Sequence, residues 1–517
     1  MKRTIASVVL LISLTSLFFS CEKNKLPNIV FFLVDDMGWR DVGIYGSDFY
    51  DTPNIDQLAT NGIRFTQAYA ASHVCSPTRA SILTGKYPAR LALTDWLNGR
   101  AEHDFEKLRS AKYKRHLPFE DITLPEELKK GGYKTAIFGK WHLGEDPSGP
   151  LEHGFDFRLP KWNKCCPNKT YYSPFGLEGL EDSEGGYLTD RLTDEALKYI
   201  EENKNEPFFL YLSHFAVHDP IHGRLDLVEK YKNKLNKRNR SLDEPFVLEG
   251  NPDDLDPLSP KDLKRLIKQS THEGYKVLPQ RTVKIKQYQD NVHFAAMVES
   301  VDESLGRVIG KLKDLNLEEN NIVIFYSDNG GMSAANFGHP DRIISSLELD
   351  KYFATSNHPL RGAKGWLYEG GIRVPLIVKC PGELQAGKIS DELVMSTDFY
   401  PTILEMAGLS LNPDQHVDGQ SFLKALNGES YDRKAIYWHF PHYSNHGMQS
   451  PGGAIRLGAY KLLEYFENGS TQLFILENDP GEQQDIALNM PKKVAELQAM
   501  LNNWRNKVSA EMPRVKD

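Results

Sequence analysis

The segment Asn28-Ile-Val-Phe-Phe-Leu-Val34, followed directly by Asp35-Asp36, sets a pattern that recurs along the chain. A long apolar run without alternation is typical of a strand buried on both faces, as in a parallel sheet covered by helices. The run ends abruptly in polar side chains. Three later segments have the same form, namely residues 133–138 before Gly139-Lys140-Trp141-His142, residues 207–212 before Ser213-His214, and residues 321–326 before Ser327-Asp328-Asn329-Gly330.

Helical patterns separate these strands, at residues 54–61, 124–131, 189–203 and 292–315. Alternating strands and helices predict an α/β fold with a parallel central sheet. Ligands of open α/β sheets bind beyond the carboxyl ends of the strands. Because all four polar clusters follow strand ends, we expect a single site built from distant segments.

The pattern changes after about residue 425. Short strand-like runs separated by Gly, Asn and Pro predict an antiparallel meander, at residues 435–440, 454–457, 460–466 and 472–476. Residues 492–507 predict a closing amphipathic helix. We therefore divide the chain into a large domain, 26–425, which contains a charged insertion at 223–290, and a smaller C-terminal α+β domain, 426–517.

Composition excludes several classes of protein. The chain has 517 residues, of which 40% are hydrophobic and 26% charged, so it is globular rather than disordered or fibrous. Its formal net charge of −8 argues against a dedicated nucleic-acid binder. A mean hydropathy of −0.48 excludes a polytopic membrane protein.

The N-terminus predicts export. Met1-Lys2-Arg3 is basic, residues 5–19 are apolar apart from Ser and Thr, and Ser20-Cys21 follows. This is the pattern of a signal peptide, residues 1–20, and its apolar part is too short for a comfortable membrane span. Ending on Cys21 predicts a lipoprotein acylated at that sulfur, held at a membrane only by its lipid, in the periplasm or cell envelope. Plain secretion, with Cys21 incidental, is the alternative.

The insertion carries a basic patch, Lys230, Lys232, Lys234, Lys237, Arg238 and Arg240. Charge runs usually face water, which favours a solvated helical insertion, and a lid that touches an anionic polymer is the alternative. The five cysteines form neither a disulfide scaffold nor a zinc module. Adjacent Cys165 and Cys166 are poorly placed to bond each other.

Oxygen ligands follow two of the predicted strands. Asp35, Asp36 and Asp328 would repel each other at one sheet edge unless a cation removed that cost, and Asn329 adds an amide carbonyl. Such ligands select a hard ion, calcium or magnesium, and the amide favours calcium. Capping of the following helices is the alternative for a single Asp.

Cys75 lies in a polar setting, Cys75-Ser76-Pro77-Thr78-Arg79, at the start of a helical pattern. Pro77 suits the first helical turn, so Cys75 lies where the helix dipole favours negative charge. The residues alone leave two interpretations open, a buried structural thiol and a thiolate nucleophile.

The segment from Cys75 to Gly85 resembles the modification motif of the type I sulfatases, in which this cysteine is converted to formylglycine (3-oxoalanine) by a maturation enzyme. Four further motifs match that family in its order, namely Asp35-Asp36-Met37-Gly38, Gly139-Lys140-Trp141-His142-Leu143-Gly144, Ser327-Asp328-Asn329-Gly330-Gly331, and the stretch from Leu360 to Pro375. The resemblance covers most of the mature chain. It implies an alkaline phosphatase-like α/β/α sandwich with a smaller C-terminal domain.

The resemblance also implies roles for single residues. It implies one calcium ion, with the ligands Asp35, Asp36, Cys75, Asp328 and Asn329. Around the sulfate it implies Arg79, which orients the formylglycine hydrate, Lys140 and Lys364, which hold the sulfate, His142, which contacts the hydrate, and His218, near the leaving oxygen. Cations around a sulfate ester suit its chemistry, because charge moves onto the leaving oxygen in the transition state.

Other histidines have plainer interpretations. Four-residue spacing of His214 and His218 would suggest a zinc pair on a helix, but the preceding strand and Pro220 argue against a helix. His214 is therefore expected to be structural, and so is His293. The aromatic segment 437–443 contains two histidines, and we weigh sugar binding against a structural cluster.

We therefore expect an exported sulfuric ester hydrolase that removes sulfate from a saccharide. A weak resemblance of segment 437–443 points to galactose- or N-acetylgalactosamine-type sugars. The alternatives are a formylglycine-dependent phosphodiesterase or phosphonate hydrolase of the same superfamily, and a non-catalytic lipoprotein that binds sulfated glycans.

Overall fold

The structure, a computed structural model, describes residues 26–104, 106–182, 184–238, 245–250, 259, 261–262, 265, 274–275, 283–335, 344–345, 352–381, 386–446 and 449–516. The expected signal peptide, Cys21 and Arg240 lie outside the described residues. So does most of the insertion beyond residue 238.

The strands are β1 (Asn28–Val34), β2 (Ile63–Phe65), β3 (Ala68–Tyr69), β4 (Leu108–Arg109), β5 (Lys134–Gly139), β6 (Phe157–Leu159), β7 (Phe208–Ser213), β8 (Phe246–Glu249), β9 (Gly274–Tyr275), β10 (Val283–Lys286), β11 (Asn321–Ser327), β12 (Ile344–Ser345), β13 (Leu376–Lys379), β14 (Lys388–Ser390), β15 (Val394–Met395), β16 (Ala435–Phe440), β17 (Gly452–Leu457), β18 (Tyr460–Tyr465), β19 (Thr471–Ile475) and β20 (Arg514–Val515). The helices are α1 (Pro53–Asn61), α2 (Cys75–Thr84), α3 (Pro88–Leu91), α4 (Leu124–Lys130), α5 (Leu188–Glu202), α6 (Leu225–Asn236), α7 (Val292–Asp314), α8 (Glu369–Ile372), α9 (Phe399–Met406), α10 (Leu423–Leu426) and α11 (Pro491–Lys507).

The central sheet has the strand order β14-β2-β13-β11-β1-β7-β5-β6. Its middle is parallel as predicted, since β1 pairs in parallel with both β11 and β7, and β5 with β7. The expectation of an all-parallel sheet is wrong for one strand, because β13 runs antiparallel to β11 and β2. The chain leaves β11 at its carboxyl edge and re-enters β13 from that edge, and such a return makes neighbouring strands antiparallel.

Apolar side chains cover both faces of this sheet. Successive β1 residues point to opposite faces. Phe32 belongs to the core shared with α1, α5, α6 and α7, while Phe31 belongs to the core shared with α2, α4 and α9, and neither side chain is exposed. The continuous apolar run of β1 thus reflects burial from both sides, and the α/β/α sandwich is confirmed.

A second, antiparallel sheet has the order β16-β17-β18-β19, and it packs with α11 around a core of its own. Buried Lys461 of β18 joins this sheet to α8, because its Nζ lies 3.0 Å from Glu369. The same Nζ lies 2.8 Å from Glu482. The predicted meander is confirmed, while the domain boundary near residue 425 stays a prediction.

The first part of the insertion is a helix with a buried face. Leu227, Val228 and Tyr231 of α6 are buried, and α6 packs against α7. Two cations of the basic patch are paired with a partly exposed acid just before α1, since Lys230 and Lys234 lie 2.8 and 2.6 Å from Asp51. Within the described residues, no helix combines the length and apolar character that a membrane crossing requires.

Candidate active site

The carboxyl edge of the central sheet gathers the predicted polar clusters. Register pairs Val34 with Ser327 and Gly139 with Ser213, so the strands end side by side. Residues that follow the strands, including Asp35, Lys140 and Asp328, are therefore brought together from segments far apart in sequence. Their side chains are fully buried, and the predicted convergence is what the structure shows.

Four potential metal ligands converge at this edge. Ligand atoms of Asp35, Asp36, Cys75 and His218 all lie within 4.8 Å of one another. Asp36 has a left-handed backbone, with φ of 62°, and its N–H donates to Asp328 Oδ1 at 3.2 Å. The turn after β1 thus presents both aspartates to the same space.

Two oxygen atoms at this place are buried without a hydrogen-bond donor, Asp35 Oδ1 and Asn329 Oδ1. Buried polar atoms are rarely left unpaired, so such oxygens mark a place for a cation. Burial and the neighbouring Asp328 raise the pKa of Asp35 to about 7, which shows the cost of crowding acids without an ion. The residues present therefore fit a hard divalent ion with oxygen ligands.

Cys75 is the first residue of α2, and all ten residues of this helix are buried. The Thr78 hydroxyl holds the helix start by contacting both the N–H and the carbonyl oxygen of Ser72, each at 3.1 Å. At the other end, Gly85 adopts a left-handed backbone, with φ of 68°, and closes the helix. The helix N-terminus and the thiol thus face the acids of β1.

Arg79 lies one turn after Cys75, on the same face of α2. Its Nε donates to Asp328 Oδ2 at 2.8 Å, and its Nη1 donates to the Ser213 hydroxyl at 2.6 Å and the Lys140 carbonyl oxygen at 3.0 Å. The guanidinium therefore links the ends of three strands. Ser213 is a partner that the sequence did not single out, although it stands at a predicted strand end.

Two lysines neutralise the aspartates of β1. Lys140 Nζ lies 2.6 Å from Asp35 Oδ2, and Lys364 Nζ lies 2.6 Å from Asp36 Oδ1, with all four side chains buried. Burial lowers the pKa of Lys364, but Asp36, Cys75 and Asp35 outweigh burial and raise it. Both lysines are charged and are held at the place where the acids converge.

His218 is held by the residue that follows it. Its Nδ1 lies 2.6 Å from Asp219 Oδ1 and contacts the Asp219 carbonyl oxygen at 2.8 Å, while its Nε2 lies 3.7 Å from Asp36 Oδ2. The Tyr171 hydroxyl donates to the carbonyl oxygens of Phe215 and His218, which fixes this loop. Asp219 was missed from the sequence, although an acid directly after the histidine was a visible signal.

The pKa of His142 is shifted in the direction opposite to that of His218, whose pKa is raised. Its Nε2 contacts the Leu97 carbonyl oxygen, which requires Nε2 to carry the proton, and its Nδ1 is buried without a hydrogen-bond partner. Burial, followed by the charge of Lys140, lowers the pKa of His142 well below its usual value. A neutral imidazole with a free Nδ1 lone pair can accept a proton.

Two further histidines, His214 and His293, were expected to be structural. His214 Nε2 contacts the Ser304 hydroxyl of α7 at 2.9 Å, and its ring packs on Phe32 of β1, so it lies between the central sheet and α7. His293 lies on α7, the predicted helix.

The aromatic segment 437–443 is mostly structural. Trp438 is buried and donates to the Ala70 carbonyl oxygen at 2.8 Å, while His439 contacts the Glu511 carbonyl oxygen at 2.9 Å. His442 contacts the Thr94 hydroxyl at 2.8 Å. These contacts support the structural interpretation of the cluster.

His446 was not anticipated. It belongs to the loop after β16, and a Cβ added to Gly365 would lie 2.5 Å from the His446 Cβ, so the loop packs directly on the residue after Lys364. Burial, followed by Lys364, lowers the pKa of His446 to about 3. No local sequence pattern could have indicated it, because the contact joins two sheets.

Comparison with known proteins agrees with this geometry. The family model described as sulfatase matches residues 27–409, and the model described as N-sulphoglucosamine sulphohydrolase, C-terminal, matches residues 362–511. A sulfatase from Formosa agariphila is 30% identical over 93% of this chain and 88% of its own. Human N-acetylgalactosamine-6-sulfatase is 31% identical over 80% of this chain and 68% of its own.

Among solved structures, Ps i-CgsB superposes with a TM-score of 0.69 at 26% identity, covering 93% of each chain. Its complex with k-i-k-neocarrahexaose superposes with a TM-score of 0.68. The fold and the site define an enzyme of the alkaline phosphatase superfamily. Because the sulfatase model matches well over half of the residues, this chain belongs to the sulfatase family and is a sulfuric ester hydrolase.

Proposed function

We propose that this sulfatase removes sulfate from a saccharide, using Cys75 after its conversion to formylglycine together with one calcium ion. The observation that carries the proposal is the convergence of Cys75 Sγ with Asp35, Asp36 and His218 within 4.8 Å. A structural thiol has no need of such a setting, whereas a nucleophile beside a cation does.

The calcium ion would be held by Asp35, Asp36, Asp328 and Asn329, with modified Cys75 as a further ligand. The unpaired oxygens of Asp35 and Asn329 support this set. Oxygen ligands including an amide carbonyl favour calcium over magnesium. When bound, the ion supplies positive charge to the sulfate oxygens and acidifies a neighbouring hydroxyl.

The modified Cys75 supplies a hydrated aldehyde whose hydroxyl attacks sulfur. Arg79, fixed by Asp328, Ser213 and the Lys140 carbonyl, orients this hydroxyl. The free Nδ1 of His142 is suited to accept a proton from the second hydroxyl. These side chains are rigid and buried, so they need little reorganisation during reaction.

Lys140 and Lys364 pair with Asp35 and Asp36; with a cation held by these aspartates, both ammonium groups would be available to bind the sulfate oxygens. His218 donates a proton to the leaving sugar oxygen, and Asp219 keeps its Nδ1 protonated and its ring oriented. Protonation matters for a sugar alkoxide, which is a poor leaving group.

Galactose- or N-acetylgalactosamine-type sugars are the proposed substrate class. The support is the similarity to human N-acetylgalactosamine-6-sulfatase and to Ps i-CgsB, which was solved with k-i-k-neocarrahexaose. The deciding experiment is a screen of monosulfated galactose, N-acetylgalactosamine and N-acetylglucosamine, with sulfate at each position, beside an aryl phosphate diester and a phosphonate ester.

We expect turnover of one sugar sulfate and loss of that turnover in Cys75→Ala. Cys380→Ala is the matched control, since Cys380 is a buried thiol directly after β13. Faster turnover of the phosphate diester or of the phosphonate ester would instead establish a phosphodiesterase or phosphonate hydrolase. Tight binding of a sulfated glycan without turnover would establish a binding protein. Mass spectrometry of the Cys75 peptide, made with and without the maturation enzyme, reports the modification directly.

We also propose that the protein is exported and anchored in the cell envelope through acylated Cys21, with residues 1–20 removed. The basic start and apolar run of the N-terminus support this. Metabolic labelling with a fatty-acid probe tests it, because Cys21→Ser should abolish the label while Cys380→Ser should keep it. Secreted, unlabelled wild-type protein would show plain secretion.

A further inference from the structure

Beside the proposed site lies a pair of adjacent thiols that the hydrolytic chemistry does not use. Cys165 Sγ and Cys166 Sγ are 2.6 Å apart, and neither is fully buried. The sequence led us to expect adjacent cysteines to be poorly placed to bond each other, but the loop after β6 turns both sulfurs to the same side. The Trp162 indole N–H holds this loop by donating to the Cys166 carbonyl oxygen at 2.9 Å.

The pair is close to the catalytic groups. His218, Lys140 and Asp219 all act electrostatically on Cys165, and Lys140 and Asp219 act on Cys166. Only four residues separate Cys166 from Tyr171, whose hydroxyl holds the His218 loop. These charges, and the short connection to the residue that holds the His218 loop, put the dithiol near the His218 side of the site.

The two thiols are unequal. A hydrogen bond from Cys166 is the main cause that lowers the pKa of Cys165 to about 5, and His218 and Lys140 lower it further against the effect of burial. Cys166 has a raised pKa because it donates that hydrogen bond and is partly buried. A thiolate beside a protonated thiol is the arrangement of an attacking and a resolving cysteine.

We propose that Cys165 and Cys166 form a reversible disulfide with each other, and that its closure changes substrate binding at the neighbouring site. The effect on substrate binding rests on the proposed function. Consecutive Cα atoms are about 3.8 Å apart, closer than the usual range of about 4.4–6.8 Å for disulfides, so a bond between neighbours is readily reduced.

The reaction needs a disulfide as oxidant, for example oxidised glutathione. The Cys165 thiolate attacks one glutathione sulfur, the glutathione S–S bond breaks, and one glutathione leaves. Cys166 then attacks Cys165 Sγ, the protein S–S bond forms, and the second glutathione leaves. Two electrons and two protons pass from the protein thiols to oxidised glutathione, which becomes two molecules of reduced glutathione.

The test is an equilibrium titration of the full chain in glutathione redox buffers, followed by alkylation and mass spectrometry of the peptide that contains both cysteines. We expect this peptide to lose two hydrogen atoms in oxidising buffer and to become doubly alkylated in reducing buffer. Cys380, buried and with its pKa raised to about 11, serves as the internal control that stays reduced.

The single variants Cys165→Ser and Cys166→Ser should each carry one glutathione instead of an internal bond. The proposed disulfide would be overturned if the wild-type protein stayed doubly alkylatable in oxidising buffer. It would also be overturned if the protein took up glutathione or formed dimers instead of bonding Cys165 to Cys166. This measurement needs no turnover, so failure of the proposed function would leave it intact.

Binding is then measured with D-galactose 6-sulfate as the probe, for the oxidised and the reduced protein. We expect the dissociation constants to differ about five-fold or more, as is typical of coupled sites. The doubly substituted Cys165→Ser, Cys166→Ser protein should be insensitive to the buffer. Equal dissociation constants in the closed and open forms would overturn the coupling, and absence of any binding to either form would count against the proposed function instead.

Discussion

Lys364 Nζ contacts both carboxylate oxygens of Asp36, at 2.6 and 2.8 Å, in a place where neither side chain is exposed to water. This pair holds positive charge where the proposed calcium ion would lie. Removing one partner from a buried pair costs about 3–5 kcal/mol. Lys364→Met should therefore lower the unfolding free energy of the calcium-free protein by about this amount.

Calcium should restore a large part of that loss, because the ion neutralises Asp36 again. The calcium-induced rise in Tm should thus be larger in Lys364→Met than in the wild type, while turnover is lost in both conditions. Lys86→Met is the control, since Lys86 is paired with Asp121 beyond the far end of α2. An equal calcium response in wild type and Lys364→Met would count against the shared site.

The loss of kcat on substitution should depend on the leaving group of the substrate for His218 but not for His214. His218→Asn should lower kcat for a sugar sulfate by about 10²–10⁴-fold, because the alkoxide then leaves without a proton. The loss should be much smaller with 4-nitrophenyl sulfate, whose phenolate leaves readily. His214→Gln keeps an acceptor or donor for Ser304 and should lower Tm without this dependence on leaving group. Equal losses of His218→Asn on both substrates would remove its role as proton donor.

Arg79 should not tolerate lysine. Its guanidinium bonds three partners from separate strands, which one ammonium cannot reach together. Arg79→Lys should lower kcat by about 10²–10³-fold, as for the loss of an oriented donor. Arg90→Lys is the matched control, because Arg90 makes a two-pronged contact with Asp418 outside the site. A similar kcat for both variants would mean that Arg79 only holds strands together.

Gly365 should be sensitive to a single methyl group. Its φ is 86°, and an added Cβ would meet Ser444 and His446. Gly132 also has a positive φ, of 93°, but open space around it, so Gly132→Ala should cost only the backbone penalty of about 1–2 kcal/mol. Gly365→Ala should cost more and should raise KM, since Lys364 must shift. Comparison of urea unfolding and kinetics for the two variants measures the difference.

Lys461 should stabilise the chain in a pH-dependent way. It lowers the pKa of both Glu369 and Glu482, and in the wild type burial nevertheless raises that of Glu482 to about 7. Lys461→Met removes the charge that lowers both pKa values, so the pKa of Glu482 rises above about 7 and the lowered pKa of Glu369 also rises. Folding then takes up protons, and the variant gains stability as pH falls. Its deficit is about 3–5 kcal/mol at neutral pH. It should shrink as pH falls toward about 7, the wild-type pKa of Glu482, and shrink again as pH falls toward the lowered wild-type pKa of Glu369. Lys492→Met is the control, because Lys492 is exposed, and it should show no such trend. A deficit in Lys461→Met that does not change with pH would contradict the coupling of Lys461 to Glu369 and Glu482.

Much of the site could be predicted because each strand is visible as a short apolar run and the reactive side chains follow it directly in sequence. The apolar runs before Asp35, Lys140 and Asp328 identify strands that end at one sheet edge, and register places those residues together. The motif around Cys75 predicts the nucleophile that we propose. By contrast, Ser213 and Asp219 act through hydrogen bonds whose partners lie elsewhere, and His446 reaches the site only because the two sheets pack together.

The amino-acid sequence by itself determined the alternation of buried strands and helices, the residues that follow each strand, and the motifs of the sulfatase family, because local patterns of apolar and polar residues indicate which segments are buried and where they end. Only the tertiary structure decided the reversed direction of β13, the pairing of Lys364 with Asp36, and the contact between Cys165 and Cys166. These depend on how loops return to the sheet edge, and loop paths are set by packing between segments that are distant in sequence.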